Sequence, residues 1–130
     1  MDDMLRAQQA FPGLSDLVEE LAPKWSGLPQ IDLPKLRFRL IIGDARLEVP
    51  RWDGLADAWF LDGFSPAKNP ELWEAPLLAS VFDHTAPQGT AATYTAAGEV
   101  RRRLQTVGFT VERTSGFGRK RHMTRARREA

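Results

Sequence analysis

The side chains best placed for chemistry are carboxylates that follow apolar runs. Asp62 comes directly after Ala58-Trp59-Phe60-Leu61 and opens the segment Asp62-Gly63-Phe64-Ser65-Pro66. An acidic group at the mouth of a buried strand is costly unless it is hydrogen-bonded or meets a ligand. Two readings stand side by side: a site carboxylate, or a loop cap that accepts backbone N–H groups. Pro66 and Pro70 restrict the stretch from Asp62 to Trp73, which favours a preformed pocket wall over a mobile flap. Asp44, after the run 36–42 and Gly43, is the second such carboxylate, and its structural alternative is the N-cap of a short helix. Metal chemistry has little support, because there is no cysteine and the only histidines, His84 and His122, lie far apart in sequence. The missing cysteines also exclude a disulfide framework and a thiol nucleophile.

Charge is unevenly distributed. Residues 1 to 97 hold 8 Lys/Arg against 14 Asp/Glu, whereas residues 98 to 130 hold 10 against 3. The C-terminal part therefore offers a basic surface to a polyanion; the plainer reading is a solvated helix face and a frayed tail. No apolar stretch approaches the roughly 18 residues of a membrane span, and the start Met1-Asp2-Asp3-Met4 is acidic where a signal peptide is basic, so the cytoplasm is the expected compartment.

The elements that must position these groups follow from periodicity. Helices are predicted over 2–10 and 14–25, the second from Leu14, Leu17, Val18 and Leu21, with Pro12-Gly13 between them. Residues 36–42 read as a strand entering a core and 58–61 as a buried parallel strand. Pro70 opens a helix over 70–84 that Pro76 bends or divides. Pro87-Gln88-Gly89 is a turn, 90–95 a strand, and 98–107 a helix stopped by Gly108. A final strand begins at 109–112, with Gly116-Phe117-Gly118 as a turn and 122–124 as its return. This alternation implies one α/β domain with right-handed crossovers, a mostly parallel sheet and helices on both faces. Ligands bind beyond the carboxyl ends of such strands, where Asp44 and Asp62 are expected.

The sixteen residues from Ala58 to Trp73 closely resemble the signature of the MnmC-like methyltransferase family. Further matches lie at Pro87 to Thr95, at Ala97-Gly98-Glu99-Val100-Arg101-Arg102, at Leu104 to Phe109 and at Gly116-Phe117-Gly118-Arg119-Lys120-Arg121, so the resemblance covers about residues 5 to 126. It implies a Rossmann-like class I methyltransferase fold, with residues 1–126 as the C-terminal part of a single methyltransferase domain and 127–130 as a basic tail. It further implies S-adenosyl-L-methionine as cofactor, tRNA as partner, and methylation of the aminomethyl group on the wobble uridine in 5-methylaminomethyl-2-thiouridine biosynthesis. An FAD-dependent oxidoreductase domain or protein would act in the preceding step.

Carried onto this sequence, the resemblance makes Asp62 the catalytic carboxylate that orients the amine, and Asp44 the acceptor for the adenine amino group. Asp62, Gly63 and Phe64 join Asp44 as cofactor contacts, with Phe64 and Pro66 available to pack on a base. Lys68, Arg119, Lys120 and Arg121 are the candidates for tRNA phosphates; of Arg101, Arg102 and Arg103 only part can face one partner. One departure stands out. The family's Gly-rich cofactor loop and the ribose-binding acid would both precede residue 1, so the sheet is expected to lack its first two strands and the pocket one wall. The alternative reading is a noncatalytic remnant or basic RNA-binding module of the same fold.

Overall fold

The computed structural model describes residues 2–27 and 29–130, which form two units, the first ending at Ile42 and the second running from Gly43 to Ala130. In the first unit, helix α1 (Asp2–Gln8), a 3-10 turn at Pro12–Leu14, helix α2 (Ser15–Leu21) and a second 3-10 segment (Ala22–Gly27) precede two short strands, β1 (Gln30–Leu33) and β2 (Leu36–Arg39). These strands form an antiparallel hairpin in the register Gln30↔Arg39 to Leu33↔Leu36. The strand expected over 36–42 is thus corrected: it stops at Arg39 and pairs with its neighbour in sequence instead of joining the main sheet. Arg37 and Arg39 alternate with half-buried Phe38, a pattern suited to a two-stranded ribbon with one side in water.

The second unit carries the main sheet. Helix α3 (Ala45–Glu48) leads to β3 (Ala56–Phe60), a 3-10 turn at Pro70–Trp73 and helix α4 (Ala75–Asp83). Strand β4 (Thr85–Thr93), helix α5 (Gly98–Thr106) and strands β5 (Thr110–Ser115) and β6 (His122–Arg127) complete it. Pro76 falls in the first turn of α4, where its missing N–H costs nothing, so the expected 70–84 helix is divided just ahead of it. The strand order is β3-β4-β6-β5. Strands β3, β4 and β5 run in one direction, with β3 and β4 the parallel hydrogen-bonded pair; β6 runs antiparallel to both its neighbours because the turn after Ser115 folds the chain straight back. The sheet is therefore mostly parallel in direction, as expected, with the antiparallel last strand inserted between the two that precede it.

Two crossovers stepping the same way across a sheet place both helices on one face when they share the usual hand. Leu78 and Val81 of α4 and Val100 and Leu104 of α5 accordingly pack with Ala91 of β4, Ala126 of β6 and Phe109. On the opposite face, Phe60 at 83% exposure and, across the sheet, Arg125 and Arg127 are exposed. Gly108 ends α5 at φ +120°, and a Cβ there would lie 2.7 Å from the Phe82 ring, so backbone and packing both require glycine. Residues 127–130, read as a basic tail, begin inside β6. Arg128 donates to the carbonyls of Phe82 at 3.0 Å, Asp83 at 3.3 Å and Thr85 at 2.7 Å, closing the end of α4.

Candidate functional site

The carboxyl end of β3 meets the carboxyl end of β4 and the β5–β6 turn at one end of the sheet. Leu61 still follows the sheet, its N–H donating to Ala92 at 2.8 Å, and the chain then leaves as Asp62-Gly63-Phe64. The exit is fixed from below by Trp73. That residue is 2% exposed, its indole N–H donates to the Phe64 carbonyl at 2.8 Å, and its own carbonyl accepts from Arg103 at 2.8 Å. Arg103 also pairs with Glu99 on α5, so one member of the 101–103 run is structural. Gly63 brings the loop close: a Cβ there would lie 2.9 Å from Leu72 Cδ1. The Gly63 carbonyl accepts a hydrogen bond from the Tyr94 hydroxyl at 3.2 Å.

Asp62 is exposed, and its carboxylate has no hydrogen-bond partner among the described residues. It does not cap its own loop. It stands between two grooves. One, of about 210 Å³, is walled by Val49, Trp59, Leu72, Trp73 and Leu78, with Asp62 and Gly63 contributing to its lining. The other, of about 200 Å³, runs between Phe60 and Leu61 on one side and Tyr94 and Met123 on the other. Both are mostly apolar, and Asp62 is the one charged residue that lines them.

Asp44 is placed differently. It N-caps α3, accepting from the Arg46 N–H at 2.9 Å, and its carboxylate also pairs with the Arg46 guanidinium at 2.6 Å. The side-chain hydrogen bond from Arg46, and after it the one from the Arg46 backbone N–H, lower its pKa from the usual 3.8 to about 2. A depressed acid contributes stability above its unfolded value, here lost as pH falls from about 3.8 through about 2. Carboxyl-detected NMR should therefore give a midpoint near 2 for Asp44, and Asp44→Asn should keep the cap but abolish that titration. A midpoint at 3.8 would remove the Arg46 pairing. Ala45, the next residue, lines the Asp62 groove, so Asp44 borders it without projecting freely into it.

Of the basic candidates, Lys120 is drawn to the site: its Nζ lies 5.5 Å from the centre of the Tyr94 ring. Arg119 and Arg121 share its exposed turn, which is closed by the Gly116 N–H donating to the Arg121 carbonyl at 3.1 Å. Phe64 is 74% exposed and Lys68 is exposed farther along the same loop. Sequence reasoning missed Trp73 and Tyr94 as parts of the site. The available signals were a tryptophan closing the matched string and the chain's single tyrosine at a predicted strand end.

A family model described as S-adenosyl-L-methionine-dependent methyltransferase matches residues 8–129. The chain belongs to this methyltransferase family. It is 45% identical over 131 residues to the tRNA 5-methylaminomethyl-2-thiouridine biosynthesis bifunctional protein MnmC of Caulobacter sp. (strain K31), covering 96% of this chain and 22% of that protein. With the protein of the same name from Pseudomonas fluorescens (strain Pf0-1) the identity is 41%, over 91% of this chain and 19% of the relative. The chain thus spans about a fifth of the length of these curated relatives. Among solved structures, MNMC2 from Aquifex aeolicus superposes with a TM-score of 0.73 at 33% identity, covering 85% of this chain and 36% of that one.

The family's cofactor is S-adenosyl-L-methionine, and the walls of the larger groove fit part of it. They present flat apolar surface with Asp62 and Gly63 alongside, and the buried Trp59 Nε1 in the same wall has no acceptor among the described residues. At about 210 Å³ the groove falls below the roughly 300–1,000 Å³ of pockets that enclose a small molecule. Among the described residues there is no cluster of His, Cys, Asp and Glu able to hold a metal, and no helix long and apolar enough to cross a membrane.

Proposed function

We propose that this chain forms one wall of a site that methylates the aminomethyl group on the wobble uridine of tRNA. What supports this reading most directly is the exposed, unpartnered Asp62 carboxylate between two apolar grooves at the end of β3. When bound, the cofactor supplies a methyl group on a sulfonium, open to in-line displacement by an amine. Asp62 accepts a hydrogen bond from that amine and turns its lone pair toward the methyl group, so positioning is the main task. Gly63 and Phe64 are the cofactor contacts in this reading, together with Asp44, whose two carboxylate oxygens both already accept from Arg46 and would reach the cofactor through their remaining lone pairs. Lys68, Arg119, Lys120 and Arg121 hold the RNA backbone. An FAD-dependent oxidoreductase domain or protein provides the exposed amine in the preceding step, and the compartment is the cytoplasm.

The small groove volume favours a second reading, in which the chain is a basic RNA-binding module that no longer encloses the cofactor. Calorimetric titration of the chain with S-adenosyl-L-methionine separates the two: micromolar affinity is expected for a cofactor wall, and no heat for the module. Both readings need the basic turn. Arg119→Ala and Lys120→Ala are expected each to flatten the salt dependence of tRNA binding, by roughly 0.7–0.9 in the log–log slope per lost contact. An unchanged slope removes that turn from the interface.

A further inference from the structure

We infer that Tyr94 is the platform on which the target base stacks, with Lys120 as a displaceable cover that moves to the RNA backbone when the base enters. The inference rests on the tRNA reading above and adds to it the contact that holds the base beside Asp62. Tyr94 is fixed at both ends. Its backbone runs between buried Thr93 and Thr95, and the Thr95 carbonyl accepts from Thr124 of β6 at 2.8 Å. Its hydroxyl is tied to the Gly63 carbonyl at 3.2 Å, directly after Asp62. Tyr94, held between these anchors, is 46% exposed and forms one side of the groove of about 200 Å³ that Asp62 also lines.

A half-exposed aromatic ring held at both ends loses little freedom when a ligand packs on it, which is what a stacking surface needs. RNA-binding proteins take unpaired bases on such rings, and a wobble base lies in a single-stranded loop. The Lys120 ammonium 5.5 Å from the ring centre shows that the ring face already attracts a partner. At a solvated site that attraction is weak, so a base displaces the ammonium and leaves it free for a phosphate. The groove walls fit the same picture: Phe60, Leu61 and Met123 give apolar surface for the base plane, and Asp62 gives the one charge for its amine.

The test is a cycle between the protein and an anticodon stem–loop RNA with uridine or an abasic residue at the wobble position, read by fluorescence anisotropy on the full chain. For the wild type, removing the base is expected to weaken binding at least about fivefold, the low end of base–aromatic stacking. Tyr94→Leu should lose the same factor with uridine present and bind the abasic RNA as the wild type does, which also shows that the variant is folded. Tyr94→Phe, which keeps the ring, should retain the uridine preference. If base removal costs the wild type and Tyr94→Leu equally, Tyr94 is not the platform, though the tRNA reading stands. If the wild type binds neither RNA, both fall.

Discussion

Replacing Trp73 with alanine is expected to lower the stability of the 43–130 unit by about 3–5 kcal/mol, the usual loss for a buried tryptophan cut to a methyl. Trp73 is 2% exposed in the core formed with Leu78, Val100 and Leu104, so truncation removes most of a large buried apolar side chain from that core. A domain of this size shifts its melting temperature by roughly 4–8 °C per kcal/mol, so thermal unfolding should move down by about 12 °C or more. Trp73→Phe separates packing from hydrogen bonding. It keeps most of the buried surface but lets go of the Phe64 carbonyl, a net loss of only about 0.5–1.5 kcal/mol. Its effect should appear in the loop: faster amide exchange at residues 63–65 with most of the stability intact. A Trp73→Ala protein that melts within a few degrees of wild type would show that the site loop is not built on this residue.

That dependence explains which parts of the site were legible in the sequence. Asp62 stood out because a carboxylate at the end of four apolar residues is unusual, and it emerges at a strand end next to a groove, as expected. The position of α5, its stop at Gly108 and the return after Gly116 were likewise readable, because spacing and backbone permissiveness are local properties. Residues 36–42 were misread because alternation shows that a strand forms, not which strand it pairs with; β2 takes the nearest partner, β1. The same limit hid Tyr94, whose importance lies in reaching Gly63 and Lys120, partners fixed only by tertiary structure. Asp44 could be read as ligand contact or helix cap, and the cap forms because Arg46, two residues on, offers both a backbone and a side-chain donor.

The larger kinetic effect is expected at Asp62. In a methyl-transferring polypeptide that contains this segment, Asp62→Asn should reduce turnover about 100-fold or more while changing cofactor affinity little. The reason lies in how charge changes during the reaction. A primary alkylamine has a reference pKa of about 10.4, so releasing its proton to solvent at pH 7 costs about 4.6 kcal/mol before the lone pair is available. A carboxylate is a far weaker base than an amine, and a nearby negative charge further favours the ammonium, so Asp62 is poorly suited to removing that proton first. As the carbon–nitrogen bond forms, however, the nitrogen becomes positive again, and a carboxylate already in contact stabilises that charge in the transition state more than in the ground state. Asparagine keeps the size and one acceptor oxygen but lacks the charge, so its loss should fall on turnover and not on binding. Equal losses in turnover and cofactor affinity would instead make Asp62 a cofactor ligand, and the amine would then need another partner in the groove shared with Tyr94.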